Sequence, residues 1–506
     1  MVSRVTDQAI QANVTRNIFR ITEGLFEAQK QIASGKRLSR PSDDPTGIRD
    51  SLSFRTSIKK QNQFIRNIDN NRIFLQRADT ALNAVGITLS RAKELAIQGV
   101  SGSGTAVTRG FAADELDKLI SQVLQEANTQ VKDNYIFAGT KTRTIPFSAS
   151  ASGVVYQGNS SRFSIEVAKD VPLDIAIPGS EILATDLNPT VSNATALSAL
   201  NSGSGITAGS FSITDRAGNS ATVTVTAGQT VGDAINAINA AGINVTASLN
   251  SSQNALLLTD TSAVIAQGLT VAEVGGGSTA SSLGILGSRD GNFEGRDLDP
   301  SLTASTLLSQ LNGGSGPTLT SIRVVNGAAS GVVSLSAATT IGDVLNAINA
   351  AGLNVTAGVN SAGNALRVVS NSSSTVAVVN EIGTGTTAED LGLGGGRNVL
   401  DTLITLRNAL RANDSIAVLT SFANIDSSLD AINESRAVFG AIQGRLESTS
   451  TVHEQDIVDQ NQQLSDIEDA DVVEQASTVA NLEVALQATL SATARIVQPT
   501  LVDFLR

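Results

Sequence analysis

Between residues 64 and 96 the chain keeps a seven-residue period that few folds can accommodate. Ile68, Leu75, Leu82, Leu89 and Ala96 stand seven apart, and Phe64, Asn71, Ala78, Val85 and Ala92 fill a second position of the same seam. Two such positions in every seven lay one narrow apolar stripe along a helix. That is the pattern of a coiled coil, and Asn71 is a polar residue able to set its register. Pro41-Ser42-Asp43-Asp44-Pro45 supplies the start, with Asp44 suited to the cap and Pro45 to the first helical position, where a missing N–H costs nothing. Two adjacent carboxylates also suggest a metal, but no further ligands flank them, so capping is the expectation. A helix over residues 46–100 would be roughly 80 Å long, a rod rather than part of a globule.

The last hundred residues repeat the rhythm. Val418, Ile425, Ile432, Phe439 and Leu446 are again seven apart, and the pattern stays helical from Glu447 to Leu505. Near the N-terminus Ile10, Val14, Ile18, Ile21, Leu25, Ala28 and Ile32 form one stripe that Gly35 interrupts. Ser101-Gly102-Ser103-Gly104 breaks the long helix, and Asp114–Val131 reads as another. Charge separates the two ends: residues 1–66 hold twelve Lys and Arg against six Asp and Glu, and residues 447–506 two against eleven. A basic head and an acidic tail are complementary, although two unrelated solvated faces would look the same on charge alone. The expected fold class is α+β and multidomain: a long coiled-coil rod formed by both termini, with a β-rich outer region of two repeated units inserted between them.

That insertion, residues 148–397, is rich in Gly, Ser, Thr, Val and Asn and contains a repeat. TVGDAINAINAAGINVTASLNSSQNALLL begins at Thr230 and TIGDVLNAINAAGLNVTAGVNSAGNALRV at Thr340, with about two-thirds of the positions identical and no gap. Each unit reads as strand (Phe211–Thr226, Ile322–Ser336), short helix (Val231–Ala241, Ile341–Ala351), a turn at Gly242 or Gly352, and further strands. Gly275-Gly276-Gly277 and Gly394-Gly395-Gly396 lack the Lys-Ser/Thr that follows a phosphate loop and read as turns.

The inventory points away from catalysis. A net charge of −12 opposes nucleic-acid binding, and no cysteine or tryptophan is present. The single histidine, His453, lies in an Asp/Glu-rich helix and is expected on a solvated surface. Asp466-Ile467-Glu468-Asp469-Ala470-Asp471 with Glu474 would spread its carboxylates around a helix rather than converge on an ion. The expectation is no enzyme, no cofactor and no metal. The polar start shows no secretory h-region, and no uncharged apolar run is long enough to span a bilayer. Aromatics are scarce at 3%, yet Tyr135, Phe137 and Phe147 crowd where the helical region stops at Gly139 and Pro146. A staple between rod and insertion would explain that placement.

Several blocks together resemble one family. SGKRLSRPSDDPTGIRDS (34–51), LSRAKELAIQG (89–99), IEDADVVE (467–474) and the closing ALQATLSATARIVQPTLVDFLR are similar to the terminal regions of bacterial flagellins and hook-associated proteins. NYIFAGTKT followed by PF, and residues 154–183, resemble the branch that joins hook to filament, and the twin repeats resemble the flagellin hook IN repeat. The resemblance implies an inner helical domain from residues 1–45 and 455–506 and a coiled-coil domain from 46–147 and 398–454. Beyond these it implies a β-rich junction segment at 148–200 and IN repeats at 201–290 and 311–397. It implies an assembly seam through Ile68, Leu75, Leu82, Leu89, Ile425, Ile432, Phe439 and Leu446, covered by neighbouring copies. It further implies a homo-oligomeric ring or filament, with hook-associated protein 1, flagellin and an export chaperone as partners. Export would run unfolded through the flagellar type III channel to the cell exterior, without a cleaved signal. A filament subunit and a secreted β-repeat adhesin stand as alternative readings.

Overall fold

A computed structural model describes residues 4–102, 104–150 and 153–496. Among them, eight helices of nine residues or more follow in order. They are α1 (Arg4–Ser34), α2 (Pro45–Val100), α3 (Ala106–Ala127), α4 (Val231–Asn239), α5 (Ile341–Asn349), α6 (Val399–Arg411), α7 (Ser415–Glu468) and α8 (Val472–Ile496). Long helices at both ends and a strand-rich middle agree with the expected class. The chain divides into two compact units: residues 1–69, 166–171 and 445–506 in one, residues 70–165 and 172–444 in the other.

In the first unit α1 packs along α8, and the contact is close enough that a Cβ on Gly24 would lie 3.3 Å from Leu482 Cδ1. The inner stripe of α1 is half-buried at Val14, Ile18, Ile21, Leu25 and Ile32 and buried at Ala28; the side chain of Ile10 and residues 497–506 lie outside the described residues. Gly35 ends α1 with φ +66°, the left-handed conformation that closes helices and that a side chain resists. Asp44 then caps α2 as its sequence context predicts, its Oδ1 accepting from Thr46 N (3.1 Å) and Gly47 N (3.0 Å). Asp43 ties the preceding turn through Arg40 N (2.8 Å), so both carboxylates serve the backbone.

The second unit contains α3 to α6, residues 70–100 of α2, residues 415–444 of α7, and the sheets apart from residues 166–171. α3 starts at a capping box on Thr105 and ends at Asn128, earlier at both ends than the expected 114–131. Two regions of the middle share an element order. In the first, strands run 287–289, 269–273, 209–214 and 220–225 across one sheet and 293–294, 256–260 and 245–249 across another. The second pairs 329–334, 321–326 and 377–381, with 355–359 and 366–370 as a separate hairpin. Each strand expected at 211–226 and 322–336 is in fact a hairpin: 209–214 with 220–225, and 321–326 with 329–334. The run of Val, Thr and Ile hid the turns at Gly218 and Gly327, which both take positive φ.

Each region closes a core of its own. Phe211, Ile213, Val223, Val231, Ile238 and Leu258 bury one, and Ile322, Val324, Ile341, Val344, Ile348 and Leu366 the other. Identical devices stand at equivalent positions. Thr230 and Thr340 open their helices with capping boxes to Asp233 and Asp343. Asn239 brackets the backbone of Ala247 (2.6 and 3.1 Å), and Asn349 that of Ala357 (2.7 and 3.2 Å). The asparagines of the repeated motif thus fasten helix to strand by completing hydrogen bonds an edge strand would otherwise leave open.

Candidate assembly surface and its supports

Five features of the chain ends and the helix–sheet junction bear on function. The first is the seam. Ile68, Leu75, Leu82, Leu89, Ile425, Ile432, Phe439 and Leu446 are each at most 1% exposed within the single chain. Gly86 on α2 sits 3.7 Å (to a Cβ) from Ile432 on α7, and Asp79 and Arg436 pair across the same two helices at 2.8 Å. These side chains therefore fill the chain's own core. They leave a neighbouring copy nothing to cover, because a heptad stripe on α2 and one on α7 satisfy each other first.

Apolar surface remains elsewhere. On α1 a second stripe of period seven runs opposite the half-buried one: Ala12, Phe19, Phe26 and Ala33 are all exposed, Phe19 at 70% and Phe26 at 67%. On α8 Val473 is 80% and Val484 67% exposed, with Ala480 between them. Sequence reasoning had named the inner stripe of α1 and missed the outer one, although the same heptad count finds it.

A clasp built by two of the resembling blocks holds the first unit together. The acidic run does not continue a helix: α7 ends at Glu468, and α8 starts at Val472 with Asp471 Oδ1 accepting from Val473 N (2.9 Å) and Glu474 N (3.1 Å). Asp and Ala at 469–471 form the break, since carboxylates favour capping over helix interiors. Into that break fits the segment after α1. Arg37 N donates to Glu468 O (2.6 Å), Ala470 N to Gly35 O (3.0 Å), and Arg37 Nη2 to Ile467 O (2.6 Å). The Glu468 side chain, in a residue only 5% exposed, receives Arg55 at 2.9 and 2.6 Å, Lys36 Nζ at 3.3 Å, and the Ser51 hydroxyl. The Arg55 guanidinium, with help from Ser51 and Lys36, lowers its pKa from 4.5 to about 2. Lys36 also reaches Asp469 Oδ1 at 2.6 Å, and that bond raises its own pKa. The expected complementarity of basic head and acidic tail takes this specific form.

His453 departs from its expected place. It is 8% exposed, stacks on Phe64 with ring centroids 5.5 Å apart, and contacts Val167 O through Nε2 at 2.8 Å. A carbonyl only accepts, so Nε2 carries the proton and donates. Residues 164–168 and 171–174 form a hairpin whose turn is thereby fixed to α7, with Asn67 Nδ2 donating to Glu166 O (3.3 Å) from α2. The Asp/Glu-rich surroundings of His453 in sequence gave no hint of a hairpin contributed from nearly three hundred residues away.

At the junction the aromatics divide. Phe137 and Phe147 are fully buried, whereas Tyr135 is half-buried on the rim in a two-residue strand. Its place in the cluster is taken by the other tyrosine, Tyr156, 5.1 Å from the Phe147 ring. The Tyr156 hydroxyl lies 2.9 Å from both Phe137 O and Asn159 O, and burial pushes its pKa upward. Asn128, one residue past α3, brackets the backbone of Phe147 at 2.8 and 2.9 Å. Gly179 is required there because a Cβ would meet Phe147 Cζ at 2.5 Å. Among the described residues no group of His, Asp and Glu is placed to hold a metal ion, and no helix is long and apolar enough to cross a membrane.

Known proteins resemble the same parts. Residues 5–142 match the family model of the bacterial flagellin N-terminal helical region, and residues 422–505 that of the C-terminal helical region. A flagellin of Clostridium tyrobutyricum is 30% identical over 117 residues, 23% of this chain and 31% of that protein. Flagellar hook-associated protein 3 of Escherichia coli K12 is 26% identical over 162 residues, 31% of this chain and 50% of that protein. Its Salmonella typhimurium namesake is 26% identical over 173 residues, 33% of this chain and 53% of that protein. The chain thus spans between about a third and about half the length of these curated relatives. A crystal structure of flagellar hook associated protein-3 from Legionella pneumophila aligns over 82% of this chain and 98% of that one, at 15% identity and a TM-score of 0.37, too low to support a common fold.

Proposed function

Since both ends of the chain belong to the bacterial flagellin family, we propose that it is a structural subunit of the flagellum, a hook-associated protein 3 that joins hook to filament by helical self-assembly. The observation that carries this reading is the exposed outer face of the terminal helices. α1 and α8 cover each other along one stripe and leave Phe19, Phe26, Val473 and Val484 in solvent. Burying a large apolar side chain stabilises by about 1.5–3 kcal/mol, so repeated copies gain by covering these faces for one another. A head-to-tail array does so with a heterologous interface.

In this reading residues 1–45 and 455–506 form the innermost domain, residues 46–147 and 398–454 a coiled-coil domain around it, and the two middle regions are IN repeats carried outward. The terminal helices of the free subunit order on assembly, at an entropic cost met at the interface. Phe137, Phe147 and Tyr156 hold the joint between helices and sheets under load. Further copies of the chain, hook-associated protein 1, flagellin and an export chaperone are the partners, and the type III channel delivers the subunit outside the cell. The match to hook-associated protein 3 runs over more of the chain than the match to flagellin, which favours the junction role. The higher identity to flagellin over its shorter stretch favours the filament role.

Antibodies against residues 200–390, applied to intact flagellated cells and viewed by electron microscopy, separate the two. A single band at the hook end is the expected result. Label along the whole filament makes the chain a filament subunit, and flagella without label remove it from the organelle.

A further inference from the structure

Within the first unit, α2, α7 and the turn of the 164–174 hairpin border an open groove of about 590 Å³. Its apolar elements are Leu52, which is 65% exposed, and half-buried Phe64. Lys60 and Lys169, both exposed, stand on its rim. Two buried polar atoms on its lining residues have no partner: His453 Nδ1 and Gln61 Oε1. With Nε2 donating to Val167 O, Nδ1 of the neutral ring is an acceptor, and an amide oxygen is one as well. Asp456, the one acid lining the groove, already faces Gln61 Nε2 at 3.3 Å. An occupant should therefore present apolar side chains flanked by negative charge and bring hydrogen-bond donors. Buried acceptors left unpaired each cost about 1–3 kcal/mol, and half-buried Gln61 can turn its amide outward to meet a donor.

The exposed face of α8 has that composition. Val473, Ala480 and Val484 lie on one side of the helix, with Glu474 and Glu483 on either flank and the amides of Asn481 and Gln487 beside them, all exposed. Lengths agree: from Val473 to Val484 is about 17 Å along a helix axis, and from Leu52 to Phe64 about 18 Å. The chain's own α8 is engaged with α1 through its other face, at Leu482, so the occupant comes from a second molecule. We propose that this groove receives the outer face of α8 from a neighbouring copy of the same chain, Lys60 and Lys169 pairing with Glu474 and Glu483. The proposal rests on the self-assembly reading and names the surface through which it proceeds.

The absence of cysteine makes the test direct. Chains carrying only Leu52→Cys are mixed with size-tagged chains carrying only Val484→Cys, allowed to assemble and oxidised; both positions are exposed, so neither change disturbs a core. The expected product is a disulfide-linked pair of the two sizes, well in excess of either same-size pair. Independently, the Lys60→Glu/Lys169→Glu chain should need at least roughly tenfold more protein to assemble, and mixing with Glu474→Lys/Glu483→Lys chains should restore assembly, with circular dichroism of each chain unchanged. Normal assembly by the Lys60→Glu/Lys169→Glu chain, without a 52–484 disulfide, overturns the groove and leaves self-assembly standing. Efficient linkage of position 52 to a cysteine at Phe26 instead would give the groove a different occupant and overturn the proposal. Failure of the unaltered chain to assemble at any concentration removes the self-assembly reading and the groove with it.

Discussion

The middle of this protein and its two ends solve the same problem in opposite ways. Each middle region buries Ile, Val and Leu in a core of its own, the first with Phe211 and Phe293 as well, and fastens its nine-residue helix with a capping box and a bracketing asparagine. The ends join through a charged clasp and leave large apolar side chains in water. A region that closes its own core tolerates being displayed as a separate body. One that leaves a heptad stripe open stays soluble only until it meets a complementary surface. The difference lies less in composition than in period: alternation and short helices fold back on themselves, whereas a stripe seven residues apart continues until another helix covers it.

The largest expected effect breaks the middle. Phe211→Ala removes a fully buried ring and should cost about 4 kcal/mol, with faster hydrogen exchange across 209–273 and unchanged exchange at 35–55. Equal loosening of both stretches would deny that the middle is self-contained.

Next comes the clasp. Glu468→Gln weakens bonds made to a charged acceptor and should cost about 2 kcal/mol, seen as faster exchange at 35–55 and 465–475. Its pH dependence has a definite sign. The folded-state pKa, about 2, lies below the ordinary 4.5, so the stabilisation is fully present above pH 4.5 and is lost as pH falls towards 2. The native clasp should therefore open on acidification through that window, and the Gln variant should lose the Glu468 contribution to that response. An identical acid response in both chains would remove Glu468 from the account.

A smaller effect probes the fastening inside one middle region. Asn349→Ala deletes both hydrogen bonds to Ala357 and should cost about 1–2 kcal/mol, with Asn239→Ala matching it in the other region. Unequal costs, read from denaturant midpoints, would show that the shared element order conceals different supports. The smallest effect on the monomer sharpens the contrast most. Phe19→Ser with Phe26→Ser should change monomer stability by less than about 0.5 kcal/mol while abolishing assembly measured by sedimentation. A markedly destabilised monomer would mean that those rings already have an intramolecular partner.

Much of the architecture was legible because it rests on local rules. The start of α2 follows from Asp44 and Pro45, and the apolar seams of α2 and α7 from their period, although the sequence reading expected neighbouring copies to cover them. Other features were hidden for reasons of the same kind. Tyr156 lies twenty-one residues after Tyr135, in a stretch that alternates like any strand, and only folding brings its hydroxyl to Phe137 O. His453 sits among acids in sequence and under a hairpin in space. The run 466–471 carries charges that suit a solvated helix face equally well, and its role as a break appears once the segment from Gly35 to Leu38 occupies it.

By itself the sequence determined the periods, and with them which segments are long helices, which are strands, and that two middle regions share a pattern. Period and capping act over a few residues and need no partner to be read. Tertiary structure alone decided which stripe is used up inside the chain and which remains for another molecule. Two heptad stripes on one helix look equivalent until a neighbour is placed. In this protein α7 takes the stripe through Leu75, and α8 takes the inner stripe of α1. The rings of Phe19 and Phe26 are left outside because, among the described residues, no other part of the chain covers them.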